Sequence, residues 1–165
     1  MSFRDALLAT QQLRKDGVIT EYAIGGAMAI AFWSEPVSTF DVDVFALLPP
    51  TTGPMVSLEP LYTWATRNGY AIQQEHIIMG GIPVQIIPAH NALAEEAIHD
   101  AATLDMEGLA VRVIRPEHLI ALYLEPSART RKRLERVAVL LEESDVDRTR
   151  LDAILKKYGL ALPGR

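Results

Sequence analysis

The stretch Tyr22-Ala23-Ile24-Gly25-Gly26-Ala27-Met28-Ala29-Ile30, followed by Thr39-Phe40-Asp41-Val42-Asp43-Val44, decides the reading of this chain. Its first half predicts a short apolar strand that turns through two glycines into a helix. Such a turn presents unpaired backbone N–H groups and a positive dipole end to an anion. In the second half, a strand carrying Asp-x-Asp puts both carboxylates on one face, because side chains alternate along a strand with period two. Two convergent carboxylates beside a phosphate-binding turn suit Mg²⁺, which takes one or two protein carboxylates and completes its shell with phosphate oxygens and water. A metal-bound nucleoside triphosphate is therefore the ligand that the two halves predict together. Taken singly, each has an ordinary reading: glycine pairs also serve tight turns and close packing, and Asp-x-Asp can be a solvated strand face.

Outward from this stretch, strands are predicted at 20–24, 40–48, 70–78, 82–88 and 109–114, each bounded by glycine, proline or polar residues. Helices are expected at 2–16, 26–33, 57–68 and 91–102. Met79-Gly80-Gly81-Ile82 reads as the turn of a hairpin, since glycine supplies the positive φ that tight hairpin turns require. From Arg115-Pro116 onward the pattern is helical, with one segment opened by Pro116, a second from about Arg129 to Glu143 and a third from Asp147 to Tyr158. The expected fold is α/β of the α+β type: a mixed sheet of about five strands flanked by helices over residues 1–114, with a helical part over 115–165 packed on it as one compact domain.

The 165 residues and 49% hydrophobic content give enough apolar surface for one sizeable core. With no cysteine there are no disulfides, thiolate zinc sites or cysteine nucleophiles, in keeping with a reducing cytoplasm. The longest apolar run, Tyr22 to Trp33, is too short to span a bilayer, so no membrane is expected as a partner. A formal net charge of −5 argues against wholesale coating of nucleic acid, while leaving room for a local basic patch.

Ile24-Gly25-Gly26 and Thr39-Phe40-Asp41-Val42-Asp43-Val44 resemble the nucleotidyltransferase superfamily with the DNA polymerase β fold. Within it, the likeness is to small bacterial nucleotidyltransferase-like proteins of the AbiEii toxin type. The resemblance implies that Asp41 and Asp43 are catalytic and hold Mg²⁺ or Mn²⁺. It also implies that Gly25, Gly26 and Thr39 line the triphosphate site, and that the acceptor is RNA, protein or a small molecule. A cognate antitoxin-like partner, within a toxin–antitoxin or phage-defence pair, is a further implication. Three positions depart from the family pattern. Gln85 stands where a third carboxylate is usual, Tyr123 replaces a lysine, and Lys132-Arg133 replace a Lys-Asp pair. Glutamine has no accessible pKa with which to take a proton from an attacking hydroxyl, so the general-base role is vacant at Gln85.

Arg129, Lys132, Arg133 and Arg136 share one helical face by i, i+3 and i+4 spacing, with Arg131 beside them. They form either a phosphate clamp, with Lys132 and Arg133 binding the nucleotide, or a solvated helix face. An even-numbered loop at Gly80-Gly81 sets His76 opposite Gln85, where His76 is either a stand-in base or an ordinary strand histidine. His90, His99 and His118 show no metal spacing, and Glu95-Glu96 reads as exposed helix surface. Two function classes follow. One is an enzyme that transfers a nucleotidyl group; the other is a non-catalytic nucleotide sensor or interaction partner of the same fold.

Overall fold

The computed structural model describes residues 2–34, 41–51, 53 and 56–164. Helix α1 (Phe3–Lys15) opens on Ser2, whose hydroxyl accepts from the Asp5 amide, and it buries Leu7, Thr10 and Leu13. Its polar and apolar positions alternate at helical spacing, so one stripe faces the sheet. Strands β1 (Glu21–Gly25) and β2 (Val42–Leu47) pair antiparallel at the sheet's centre, and helix α2 (Gly26–Trp33) leaves β1 directly. Beyond helix α3 (Glu59–Arg67) come β3 (Ile72–Gln73), β4 (His76–Met79) and β5 (Ile82–Pro88). Helix α4 (Ala92–His99) precedes β6 (Ala102–Met106) and β7 (Leu109–Val113). The sheet runs β3-β4-β5-β2-β1-β7-β6, with β5 parallel to β2, β7 parallel to β1 and the remaining pairs antiparallel. This is an α+β architecture with a mixed sheet of seven strands, two more than expected from the sequence.

Both extra strands have a physical origin. The segment read as one strand over 70–78 folds back on itself, because Gln74 takes φ +57° and turns the chain between β3 and β4. The helix read over 91–102 stops at His99, and Ala102–Met106 pairs with β7 through a two-residue Glu107-Gly108 loop. Both loop residues have positive φ, as the hairpin turn that matches strand twist requires. Likewise Gly80 and Gly81, at φ +59° and +79°, join β4 to β5 with Met79 opposite Ile82.

In β2, Val42, Val44 and Ala46 are buried while Asp43, Phe45 and Leu47 are partly open, so the two faces have different neighbours. Helix α1 covers the first face, where the Thr10 hydroxyl lies 3.9 Å from the Met79 sulfur. The second face is turned toward the helical part of the chain. There α5 (Pro116–Leu124) is buried at every residue and packs on α4, α6 (Arg131–Glu143) and α7 (Arg148–Lys157). A helix buried all round, with its two polar residues Glu117 and His118 buried as well, has to be central. Thr130 and Asp147 cap α6 and α7, so α6 starts two residues later than the sequence suggests and leaves Arg129 outside it. Among the described residues no helix is long and apolar enough to cross a membrane.

Glu96 is not the exposed helix residue expected from the sequence. It accepts from the buried His118 ring at 2.9 Å, from the Tyr158 hydroxyl at 3.1 Å and from the Lys157 ammonium, and so ties α4 to α5 and to the end of α7. Burial alone would raise its pKa, but these hydrogen bonds prevail and hold it below the usual glutamate range. A folded-state pKa below the unfolded one stabilises above the unfolded value, and that contribution is lost as pH falls through the folded value. Glu96→Gln is therefore expected to cost about 1–2 kcal/mol at neutral pH. In thermal melts the gap to wild type should close as pH falls below the ordinary glutamate range.

Candidate functional site

Sheet register sets out the site. Gly25 lies opposite Asp43, and Asp43 opposite Gln85. Continuing the β4–β5 pairing, in which Ile77 meets Val84, brings His76 opposite Gln85. Four residues from four strands thus form one row across the sheet. Residues directly opposite each other project to the same face, so Asp43, Gln85 and His76 share one. The even-numbered loop anticipated at Gly80-Gly81 produces this alignment.

At the start of the row the backbone is packed too tightly for any side chain. A Cβ on Gly25 would fall 2.4 Å from the Phe45 ring, and one on Gly26 would fall 2.5 Å from Asp43 Oδ2. Gly26 also has φ +59°, in the left-handed region. Asp43 therefore sits against the first residue of α2. Asp41, one residue before β2, has a half-exposed side chain at the rim, with Oδ2 3.6 Å from His76 Nε2. Burial pushes the Asp43 carboxyl above the usual carboxylate range and the charge of Asp41 adds to the rise, while Arg136, His76 and Arg133 offset only part of it. Two carboxylates close together, one of them half-buried, leave uncompensated negative charge beside a helix N-terminus that itself attracts anions. This donor set suits a divalent ion bound together with phosphate, with Asp41 and Asp43 as its protein ligands.

A cavity of about 260 Å³ opens from this point between the sheet and α5–α6. Gly26 and Asp43 form one end, while Phe45, Ile87, Leu119 and Leu122 supply apolar walls. Arg133 and Arg136 of α6 enter from the opposite side, next to Tyr123. The guanidinium of Arg136 lies 5.8 Å from the Tyr123 ring centre and donates to its hydroxyl at 3.5 Å. Burial pushes the Tyr123 phenol up, so the hydroxyl keeps its proton at neutral pH. Glu125 lines the cavity too, and Asn91 Nδ2 donates to its Oε2 at 2.7 Å while Asn91 Oδ1 caps α4.

The basic segment divides into different roles. Arg129 donates to the carbonyls of Leu124 and Ala161, Arg131 pairs with Glu135 at the surface, and Lys132 is exposed and does not line the cavity. Arg133 and Arg136 are the two that reach it. Thr39 lies outside the described residues. Sequence reasoning missed the apolar walls and Glu125, whose one signal is its place at the end of a mostly apolar helix.

Among the described residues, Glu96, Asp100 and His118 are a second group able to hold a cation, with ligand atoms within 4.8 Å of one another. No spacing in the sequence marked His118 for this, because its partners come from a different helix. Here cationic side chains already fill the role: Lys157 lies on Glu96 and Arg150 lies 3.7 Å from Asp100.

No family model and no curated protein sequence matches the chain. Solved structures do match it in shape. One is ANT(2'')-Ia in complex with adenylyl-2''-tobramycin, at a TM-score of 0.53 and 15% identity, over 96% of this chain and 98% of that one. A solution structure of the antibiotic-resistance factor ANT(2'')-Ia aligns at 0.52 and 16% identity, over 94% and 91% of the two chains. An antigenic nucleotidyltransferase-like protein from Paracoccidioides brasiliensis aligns at 0.52 and 16% identity, over 96% and 88%. At these identities the likeness is one of fold, and the fold is that of the nucleotidyltransferases.

Proposed function

We propose that the chain is a metal-dependent nucleotidyltransferase whose site has been partly rewritten. In this reading it transfers a nucleotidyl group from a nucleoside triphosphate to a hydroxyl of an RNA, protein or small-molecule acceptor. The observation that carries the proposal is the meeting of Asp43 with Gly26 at the start of α2, with Asp41 just before β2 and near enough for its charge to act on Asp43. Mg²⁺ or Mn²⁺ held by Asp41 and Asp43 would neutralise the phosphates and stabilise charge on departing pyrophosphate. Gly25 and Gly26 let the α2 amides approach the phosphate that a metal on the β2 carboxylate would hold, which fixes its orientation. Thr39 belongs to the same proposed phosphate site, as does Arg133 from α6, whereas Lys132, the other basic residue expected to bind the nucleotide, does not line the cavity. Two arginines in the cavity disfavour a polycationic acceptor and favour a neutral or anionic one.

A second reading rests on Gln85, which lies beside Asp43 where a base would be useful. A protein that binds the triphosphate without transferring it, acting as a sensor or as partner to an antitoxin-like protein, has no need of that base. Isothermal titration with each of the four ribonucleoside triphosphates, with and without Mg²⁺, combined with a transfer assay on RNA and protein acceptors, separates the readings. Binding with turnover supports the enzyme, binding alone supports the sensor, and no binding to any triphosphate overturns both.

Gln85→Asp is the informative variant. General-base assistance typically contributes ~10²–10⁴ in rate, and a carboxylate placed without the rest of its supporting shell should recover part of that, about tenfold in transfer. If wild type already transfers fast and Gln85→Asp changes nothing, His76 supplies the base, and His76→Ala should lose activity.

A further inference from the structure

We propose that Arg133 and Arg136, the second braced on Tyr123, form a clamp that holds a triphosphate tail even without a divalent metal. The proposal rests on the nucleotide-binding reading above and deepens it. Of the five basic residues between 129 and 136, three are spent elsewhere: Arg129 on backbone carbonyls, Arg131 on Glu135 and Lys132 outside the cavity. Arg133 and Arg136 lie three apart on one face of α6, and both line the cavity that ends at Gly26 and Asp43. Among the described residues neither has a carboxylate oxygen within 4 Å, whereas Arg14, Arg112, Arg131 and Arg150 all do. The charges of Arg133 and Arg136 act on Asp43 across the cavity without closing an ion pair with it, and cationic groups lining a cavity in this way suit an anionic ligand.

Each guanidinium also has a partner within the protein, although Arg133 is exposed and Arg136 is only partly so. Arg133 donates to the Ala128 carbonyl at 3.2 Å, and Arg136 rests over the ring and hydroxyl of Tyr123, which is 8% exposed on the buried helix α5. A long side chain normally loses rotamer freedom when it grips an anion; for Arg136, seated on Tyr123, part of that freedom is already lost on folding. Forked guanidinium donors suit several phosphate oxygens at once. Glu125, the other acid of the cavity, is turned to Asn91 and does not neutralise the pair. Two positive charges thus face the phosphate end, and they can hold phosphate that a metal would otherwise have to neutralise. In this arrangement Tyr123 is a positioning residue that acts through Arg136.

The test is calorimetric titration of inorganic tripolyphosphate, and separately of ATP, GTP, CTP and UTP, into the full chain in EDTA and in Mg²⁺. Wild type should bind tripolyphosphate in EDTA, and Arg136→Ala and Arg133→Ala should each weaken it about tenfold. Arg131→Ala removes the same charge outside the cavity and should change affinity by less than roughly twofold. Arg136→Lys should recover part of the affinity lost in Arg136→Ala, and Tyr123→Leu should weaken binding with the melting temperature monitored alongside. The clamp is overturned if wild type binds triphosphates only when Mg²⁺ is present, or if Arg131→Ala costs as much as Arg136→Ala. In the first of those cases the nucleotide-binding reading survives; if no triphosphate binds under either condition, both fall.

Discussion

Asp43→Asn is expected to lower Mg²⁺-dependent triphosphate affinity by about 100-fold or more, while raising the melting temperature of the protein when no metal is present. The first effect follows from removing one of two proposed ligands; loss of a supporting contact alone typically costs 10–100-fold in metal affinity, and loss of a ligand costs no less. The second follows from the position of Asp43. Burial, and then the charge of Asp41, raise its pKa in the folded state. A carboxyl whose folded pKa lies above its unfolded one stabilises the fold while protonated, and that contribution is lost as pH rises through the folded value. At neutral pH the metal-free protein therefore carries an unfavourable charge that asparagine does not. The stabilisation should shrink as pH is lowered into the carboxylate range and vanish once Asp43 is protonated. Melts of both proteins across pH, with and without Mg²⁺, check each half. A variant less stable than wild type in EDTA at neutral pH would mean that the carboxylate is a structural partner and not a destabilised ligand.

The second large effect belongs to the glycine pair. Gly26→Ala places a Cβ 2.5 Å from Asp43 Oδ2 and 3.2 Å from its Cβ and Cγ, at a backbone φ of +59°. The left-handed conformation alone costs roughly 1–2 kcal/mol for a residue with a side chain, and Asp43 must also move. A total loss of about 2–3 kcal/mol is expected, accompanied by loss of metal-dependent binding. Gly25→Ala meets the Phe45 ring at 2.4 Å, with Ile114 behind it at 3.3 Å, so the ring must swing into the cavity. Overpacking of this kind typically costs ~1–3 kcal/mol. Denaturant melts report both losses. A Gly26→Ala protein as stable as wild type would show that the turn relaxes freely and that Asp43 is not held against it.

What the sequence revealed follows from rules that act over short distances. The strand-to-helix turn at Gly25-Gly26, the half-open position of Asp43 on β2 and the pairing of His76 with Gln85 each depend on period, φ sign or loop length alone. Where a turn lacked glycine, as at Gln74, or where a short edge strand such as Ala102–Met106 is half exposed, local pattern was too weak and pairing with a neighbouring strand decided the outcome. The cavity's far wall was invisible for another reason. Leu119, Leu122, Tyr123 and Arg136 come from helices far along the chain from Asp43, and no spacing shows which helix face will cross the sheet. The helical face shared by Lys132, Arg133 and Arg136 was legible; which of these reach the cavity was not, because that depends on how α6 packs on α5.

The central claim is that Asp41, Asp43 and the Gly26 turn together hold a metal-bound triphosphate. It is tested most directly by a crystal structure with Mn²⁺ and a nonhydrolysable nucleoside triphosphate, recorded at the manganese absorption edge. The account predicts an anomalous peak between Asp41 and Asp43, with the phosphates running from the start of α2 toward Arg133 and Arg136. An anomalous peak at Glu96, Asp100 and His118 instead, with the nucleotide absent from the Asp43 cavity, would contradict it.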